Sequence, residues 1–249
     1  MPVVLYEKKD KIAYITLNRP EVRNAINVAM EEELERIWND VAADPAVWVA
    51  IIAGAGGRAF SSGADIGDLG DAAQQPGKSQ YHTELGGLRL LGPMRIWKPF
   101  IAAVNGYAIG SGFTLALACD MRVAADNASF YYSEIKRGIP TAVASVLLPR
   151  YVTFGQAMEV LLTGDSVDAW QAYRMGLVNK VVSPDKLMSA AEDLARRICE
   201  AAPLAVQASK EIAIRGLSMP VAEGLRFGNM VRRMVRDSQD AKEGPRAFA

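Results

Sequence analysis

Two short turns built from small residues are places where a ligand could reach the backbone. One follows the apolar run 47-VWVAIIAG-54 and reads 61-SSGAD-65; the other follows an apolar run that begins at Phe100 and reads 110-GSG-112. An apolar helix is predicted to begin near Phe113, and the first amides of a helix have no partner within that helix. These N–H groups and the positive end of the helix dipole suit a ligand oxygen. Small residues also allow close helix–strand packing, so a purely structural role stays open for each turn.

Other chemistries need residues that these turns lack. The phosphate-binding pattern GxGxxG is absent, and so is the lysine of GxxxxGK[ST]. A nucleophilic serine needs a base and an orienting acid, but the single histidine, His82, lies in a different motif context. The two cysteines, Cys119 and Cys199, lie among apolar residues without CxxC spacing, which favours buried thiols over a disulfide or a metal site. No metal site is predicted.

The charged residues balance, with 28 Lys and Arg against 28 Asp and Glu in 249 residues. This balance gives no global electrostatic argument for binding nucleic acid or an anionic membrane surface. No run approaches the roughly 20 apolar residues that a membrane span needs, and the start, MPVVLYEKKDK, has no apolar segment behind a basic one. We therefore expect a cytoplasmic protein with no nucleic-acid or membrane partner.

The hydrophobic pattern places a sheet in the first half of the chain and helices in the second. Four apolar runs have the pattern of buried strands, and an amphipathic helix separates the first two, which is typical of an α/β fold. The predicted strands are 11–17, 47–54, 100–106 and 121–126, and the helix is 28–41. After residue 153 the predicted helices are 154–162, 167–175, 186–201, 204–217 and 221–236.

Seven collinear segments resemble the crotonase superfamily, which comprises enoyl-CoA hydratases, enoyl-CoA isomerases and their relatives. They are NRPEVRNAIN (18–27), AFSSGADI (59–66), KPFIAAVNGYAIGSG (98–112), ACDMRVAADNASF (118–130), SEIKRGIP (133–140), LLTGD (161–165) and GLVNKVV (176–182). The resemblance covers nearly the whole chain. It implies a ββα spiral core with the CoA and active sites over residues 1–190. It also implies a C-terminal helical trimerisation region over 191–249, in a homotrimer or a dimer of trimers.

The resemblance gives the two turns a function. In this family each turn offers one backbone N–H to the thioester carbonyl of an acyl-CoA, and by motif position these are the amides of Ser62 and Ser111. Proton transfer next to a thioester builds enolate charge on that oxygen, and preorganised donors stabilise it. The serine side chains need not act.

Residues that hold coenzyme A are also implied by the resemblance. Arg23 is expected at a CoA phosphate or ribose, since a guanidinium matches phosphate geometry. Ala25 is expected near the pantetheine or adenine, and Ala64 with Asp65 beside the adenine. Coenzyme A then enters as part of the thioester substrate, and no separate cofactor is implied.

The proton-transfer residues decide which reaction is predicted. A typical hydratase carries two glutamates, and by resemblance their positions here hold Thr114 and Glu134. A threonine can form hydrogen bonds but cannot exchange a proton near pH 7. A single glutamate is enough to move a proton between C2 and C4 of an enoyl-CoA. The sequence therefore predicts double-bond isomerisation with Glu134 as the acid and base.

Three alternatives stay open beside isomerisation. Enoyl-CoA hydration is one. A hydroxycinnamoyl-CoA hydratase-lyase activity is another, because a hydroxyl residue replaces the first glutamate in that branch, although the phenol expected in its loop is missing from 66-IGDLGDAAQQ-75. The third is a non-catalytic crotonase-fold scaffold. His82 and Glu84, predicted on a helix after this loop, could supply a second acid–base group, but a solvated helix face explains them as well.

Overall fold

Short strands alternate with helices along most of the chain. The computed structural model describes residues 1–65, 67, 89–236 and 238. Its strands are β1 (Val4–Lys9), β2 (Ile12–Leu17), β3 (Val49–Gly54), β4 (Ala59–Ser61), β5 (Phe100–Val104), β6 (Tyr107–Ile109), β7 (Met121–Ala125), β8 (Ser129–Tyr131), β9 (Val167–Asp168) and β10 (Lys180–Val182). Its helices are α1 (Val28–Ala43), α2 (Gly92–Arg95), α3 (Ser111–Ala118), α4 (Ala142–Tyr151), α5 (Phe154–Thr163), α6 (Ala169–Arg174), α7 (Leu187–Cys199), α8 (Pro203–Gly216) and α9 (Val221–Arg236). Short 3-10 segments span Pro20–Val22, Arg89–Leu91, Ser133–Arg137 and Pro184–Lys186.

The strands form two sheets, and from β3 to β8 successive strands belong alternately to the larger and the smaller sheet. The larger sheet has the order β1-β2-β3-β5-β7-β10, and all its pairs except β1–β2 are parallel. The smaller sheet has the order β4-β6-β8-β9, with only β8–β9 antiparallel. The successive pairs β3/β4, β5/β6 and β7/β8 each place one strand in each sheet, so the chain winds as a spiral. The predicted α/β spiral is confirmed.

Both faces of the larger sheet are covered, which explains the largely apolar runs of its central strands. Ile52 belongs to a buried cluster that includes Phe60 and Phe130 of the smaller sheet. The preceding residue, Ile51, points to the other face and is buried in a cluster with Ala191 of α7. Side chains alternate across a strand, so the central strands are apolar at nearly every position. The exception in β7 is Arg122, whose buried guanidinium donates to backbone carbonyl oxygens.

The last three helices differ in how they meet the core. α7 is buried against the larger sheet through Leu187, Ala190, Ala191 and Ala195. In contrast, α8 has no hydrophobic residue buried in the core, and α9 has only Val231. The predicted boundary between residues 190 and 191 lies inside α7, so the helices that leave the core are α8 and α9. Within the described residues, no helix has both the length and the apolar character needed to cross a membrane.

A buried ion pair joins α8 to the core. Lys210, whose side chain is only 7% exposed, donates to Oδ2 of Asp120 at 2.8 Å. Its ammonium group also donates to the carbonyl oxygens of Pro93 at 2.9 Å and Lys98 at 3.0 Å. Oδ2 of Asp120 in turn accepts from Phe100 N at 2.7 Å. Because a buried ammonium group without acceptors costs stability, these contacts hold α8 against the core at Lys210.

Candidate active site

The first small-residue turn is held by hydrogen bonds to the loop before α1. Ser62 N donates to Arg23 O at 2.9 Å. Ile26 N donates to Gly63 O at 2.8 Å, and Asp65 N donates to Ile26 O at 2.9 Å. The turn after β4 is therefore paired along its length with residues 23–26, and most of its amides already donate hydrogen bonds within the protein.

This pairing corrects the predicted donor of the first turn. The Ser62 amide is bonded to a carbonyl, and the Gly63 amide donates to Oγ of Ser61 at 3.1 Å. Ala64 forms a parallel bridge with Ile26, in which the N–H of Ala64 points to the opposite side of the strand. Within the described residues the Ala64 amide donates to no acceptor. Ala64, rather than Ser62, thus has the available N–H in this turn.

The second turn brings another available amide next to the first turn. Ser111 is the first residue of α3, and neither a side-chain cap nor another described group accepts from its N–H. The preceding Gly110 has φ +52°, a conformation that glycine adopts without strain. A Cβ placed on Gly63, which has φ +94°, would lie 2.8 Å from Ile109 O and 3.5 Å from Ser111 N. The two turns are in contact, and the glycine next to Ala64 lies beside Ser111 N.

Strand pairing carries Glu134 to the same place. β6 and β8 are parallel neighbours, and Gly110 N donates to Tyr131 O at 3.1 Å just past their ends. Glu134 follows on the 3-10 segment Ser133–Arg137. A Cβ on Gly110 would collide with Oε1 of Glu134 and lie 3.1 Å from its Cδ, so only glycine allows this carboxylate so close to the helix start. Oε2 of Glu134 is buried and has no hydrogen-bond partner within the described residues. An acid–base group with unused lone pairs therefore lies beside the Ser111 turn.

Thr114 lies one helical turn after Gly110. Its N–H donates to Gly110 O at 2.9 Å, and its side chain is buried with the residue 7% exposed. Oγ1 of Thr114 shares a hydrogen bond of 3.2 Å with Oη of Tyr132, which is itself only 1% exposed. Because side chains alternate along a strand, the sequence indicates that only one of Tyr131 and Tyr132 could line the acyl pocket, and it does not single out Tyr132.

The residues predicted to bind coenzyme A form a neighbouring group. Arg23 is exposed, and its guanidinium forms no ion pair or hydrogen bond with the described residues, so it remains open to a phosphate. Ala25 is 8% exposed, and its carbonyl accepts from Arg19 Nη1 at 2.7 Å. Asp65 pairs with Arg19 at 2.8 Å and accepts from Gly67 N at 3.1 Å. The hydrogen bond from Arg19 holds the pKa of the Asp65 carboxyl below its ordinary value. This carboxylate thus shapes the turn, and its contact with adenine stays a prediction.

Asn24 fixes the loop that accepts from Ser62, and sequence reasoning missed it. It is 0% exposed, and Nδ2 donates to Ala59 O at 2.8 Å and Ala55 O at 3.0 Å. Its Oδ1 accepts from Arg19 N at 3.0 Å. Its φ of +56° is a left-handed conformation that asparagine tolerates better than most residues. An asparagine in this loop was therefore the sequence signal for such a backbone turn.

Some predicted features lie outside the described residues. These are His82, Glu84 and nearly all of the loop 66–75. Among the residues that are described, no three His, Cys, Asp or Glu side chains cluster as metal ligands would.

Comparison with known proteins identifies the family. The profile described as Enoyl-CoA hydratase/isomerase matches residues 7–249. The chain belongs to the enoyl-CoA hydratase/isomerase family. It is 40% identical to an (E)-benzylidenesuccinyl-CoA hydratase from Thauera aromatica, covering 100% of this chain and 96% of that protein. It is 42% identical to a carnitinyl-CoA dehydratase from Citrobacter koseri, covering 98% and 94%.

A solved structure agrees with this membership. An enoyl-CoA hydratase from Bacillus anthracis superposes with a TM-score of 0.93 at 31% identity, over 99% of this chain and 95% of that one. The crotonase-type fold and the family predicted from the sequence are thus confirmed, and the protein is an enzyme of this family.

Proposed function

We propose that the protein adds water reversibly to the double bond of 2-enoyl-CoA thioesters, with Glu134 as its single acid and base. The observation that carries this proposal is the Glu134 carboxylate, which lies against Gly110 with a buried oxygen that has no partner. The available amides of Ala64 and Ser111 complete the arrangement, since one turn packs on the other. An acid–base group next to two preorganised donors suits chemistry at the carbon beside a thioester.

The proposed reaction uses one proton twice. The Glu134 carboxylate takes a proton from water as the water oxygen bonds to C3. The electrons of the C2–C3 double bond move onto the thioester oxygen, where the amides of Ala64 and Ser111 stabilise the charge. Glu134 then returns the proton to C2, the enolate collapses to the thioester, and the carboxylate is regenerated. The net change is addition of one water molecule, and the reverse sequence dehydrates a 3-hydroxyacyl-CoA.

The names of the relatives favour water addition over isomerisation. They include hydratases and a dehydratase that act on CoA thioesters, whereas the isomerisation predicted above rested on Thr114 in place of a glutamate. Thr114 is also the observation that keeps isomerisation as a second candidate, because moving a proton from C2 to C4 needs only one carboxylate.

Binding of the CoA moiety and assembly are further parts of the proposal. Arg23 has an exposed guanidinium without a described partner, which supports a role at a CoA phosphate.

Assembly into trimers or dimers of trimers through α8 and α9 is supported by large apolar side chains left exposed there. They include Leu217 (75% exposed), Val221 (79%), Leu225 (64%) and Met234 (74%).

A panel of thioesters tests the proposed reaction. Purified wild-type protein is given a 2-enoyl-CoA and the 3-enoyl-CoA of the same chain length, with aliphatic and aromatic acyl groups. We expect kcat/KM for hydration to exceed that for isomerisation with at least one acyl group, measured by ultraviolet absorbance of the conjugated thioester. Faster isomerisation throughout would favour the second candidate, and no turnover of any thioester would favour a non-catalytic scaffold.

A further inference from the structure

Two buried hydroxyl groups lie at the start of α3, close to Glu134. Oγ1 of Thr114 and Oη of Tyr132 are 3.2 Å apart and share a hydrogen bond in which either can be the donor. The Tyr132 ring is fixed by stacking on Phe113, with centroids 4.8 Å apart and planes inclined by 25°. The phenol is therefore held toward Thr114 by packing as well as by the hydrogen bond.

The hydroxyl groups of Thr114 and Tyr132 and the Glu134 carboxylate do not find all their hydrogen-bond partners among the described residues. The pair has two hydroxyl hydrogens, and the bond between them uses one. No described residue accepts the second, while the buried Oε2 of Glu134 has no donor. A buried donor and a buried acceptor without partners both cost stability, and a bridging water is the usual remedy.

The three side chains converge on one end of α3. Thr114 N donates to Gly110 O, and a Cβ on Gly110 would collide with the Glu134 carboxyl group. Burial raises the pKa of Tyr132, and the nearby negative charge of Glu134 raises it further. Tyr132 thus stays a neutral phenol near pH 7 and cannot act as a base, although it can donate or accept a hydrogen bond.

We propose that Tyr132 is a positioning residue that, through Thr114, orients the reacting water against Glu134. This inference rests on the proposed hydration. The water donates one hydrogen to Oε2 of Glu134 and accepts the second hydroxyl hydrogen of the Thr114–Tyr132 pair, so its other lone pair is free to attack C3. During addition the water proton goes to Glu134 and then to C2, and neither hydroxyl gains or loses a proton. A hydroxyl pair thereby supports water addition although Thr114 has no carboxylate.

Tyr132→Phe tests this role because it removes only Oη and keeps the stacked ring. We expect kcat for hydration of the 2-enoyl-CoA that wild type hydrates fastest to fall about tenfold, the effect of one hydrogen bond. Exchange of the C2 hydrogens of the saturated acyl-CoA with D2O, followed by mass spectrometry, should stay at the wild-type rate. That exchange needs Glu134 and the two amides but no attacking water. The matched control is Tyr173→Phe, which removes the phenol oxygen of an exposed tyrosine on α6 and should leave both rates unchanged.

A second substitution makes the test independent of any one variant. Thr114→Val removes Oγ1 with little change in volume, and it should slow hydration while sparing C2 exchange. Because both hydroxyls belong to one water site, adding Tyr132→Phe to Thr114→Val should cause much less than the sum of the two single losses. Wild-type hydration in Tyr132→Phe, or an equal fall in hydration and exchange, would overturn the positioning role alone. A wild-type enzyme that exchanges C2 hydrogens but hydrates no enoyl-CoA would overturn the proposed function as well.

Discussion

Glu134→Gln is expected to lower kcat for hydration by about 10²–10⁴. The side-chain amide keeps the shape of the glutamate but cannot take a proton from water or return it to C2. The loss should be equally large for C2 hydrogen exchange in a saturated acyl-CoA, since both reactions use the same carboxylate. Binding of the thioester should survive, because the proposed contacts of Arg23 and the two turns are untouched. Steady-state kinetics and calorimetric titration with the saturated thioester measure these quantities.

Glu159→Gln is the matched control for this substitution. Glu159 lies on α5 and is exposed, so the same change of charge there should leave kcat unaltered. If Glu134→Gln kept the wild-type kcat, another group would have to move the proton. If it lost thioester binding together with turnover, the residue would be needed to build the pocket rather than to transfer the proton.

Ser111→Pro is expected to lower kcat by about 10²–10³, the cost of one missing oxyanion donor. Ser111 is the first residue of α3, a position where proline is tolerated because the N–H has no partner within the helix. The substitution therefore removes the donor while keeping the helix. Ser111→Ala retains the N–H and should keep most of the activity. Comparing kcat and thermal unfolding of the two variants separates the amide from the hydroxyl.

Ala142→Pro controls for proline itself. Ala142 is the exposed first residue of α4, and the preceding Thr141 has φ −93° and ψ +88°, which lies outside the α region that a following proline disfavours. This variant should keep the wild-type kcat and unfold near the wild-type temperature. A large loss of activity in Ser111→Ala would instead indicate chemistry by the serine hydroxyl. Full activity in Ser111→Pro would show that the Ser111 amide is not an oxyanion donor.

Most of the long elements were predictable from the sequence, but strand β1, helix α4 and the short strands were missed. The four predicted strands correspond to β2, β3, β5 and β7, whose largely apolar runs reflect burial on both faces of the larger sheet. The strands of the smaller sheet have only two or three residues, too few to show a period of two. The predicted helix 167–175 accordingly begins with β9 and becomes helical only at Ala169. Its first two residues follow sheet pairing with β8, which local propensity does not reveal.

The sequence could indicate site residues where a motif fixes the residue type. It could not indicate which backbone amide of a turn is available, because that depends on the direction of the backbone. Glu134 and Ser111 lie together as their motifs implied. The choice between Ser62 and Ala64 depends on which amide faces the loop at residues 23–26, and that follows from a bridge between distant segments. The sequence could not single out Tyr132 from Tyr131, because the proposed role of Tyr132 comes from a hydroxyl that packing carries to Thr114.

A crystal structure of the Glu134→Gln variant with a bound 2-enoyl-CoA would show the proposed contacts of the thioester, since the variant should bind it without converting it. We expect the thioester oxygen at about 2.7–3.1 Å from the backbone nitrogens of both Ala64 and Ser111. We also expect the residue 134 side chain next to C2, and an ordered water between that side chain and Thr114. A thioester oxygen bound away from these two amides, or C2 out of reach of residue 134, would rule out the proposed mechanism.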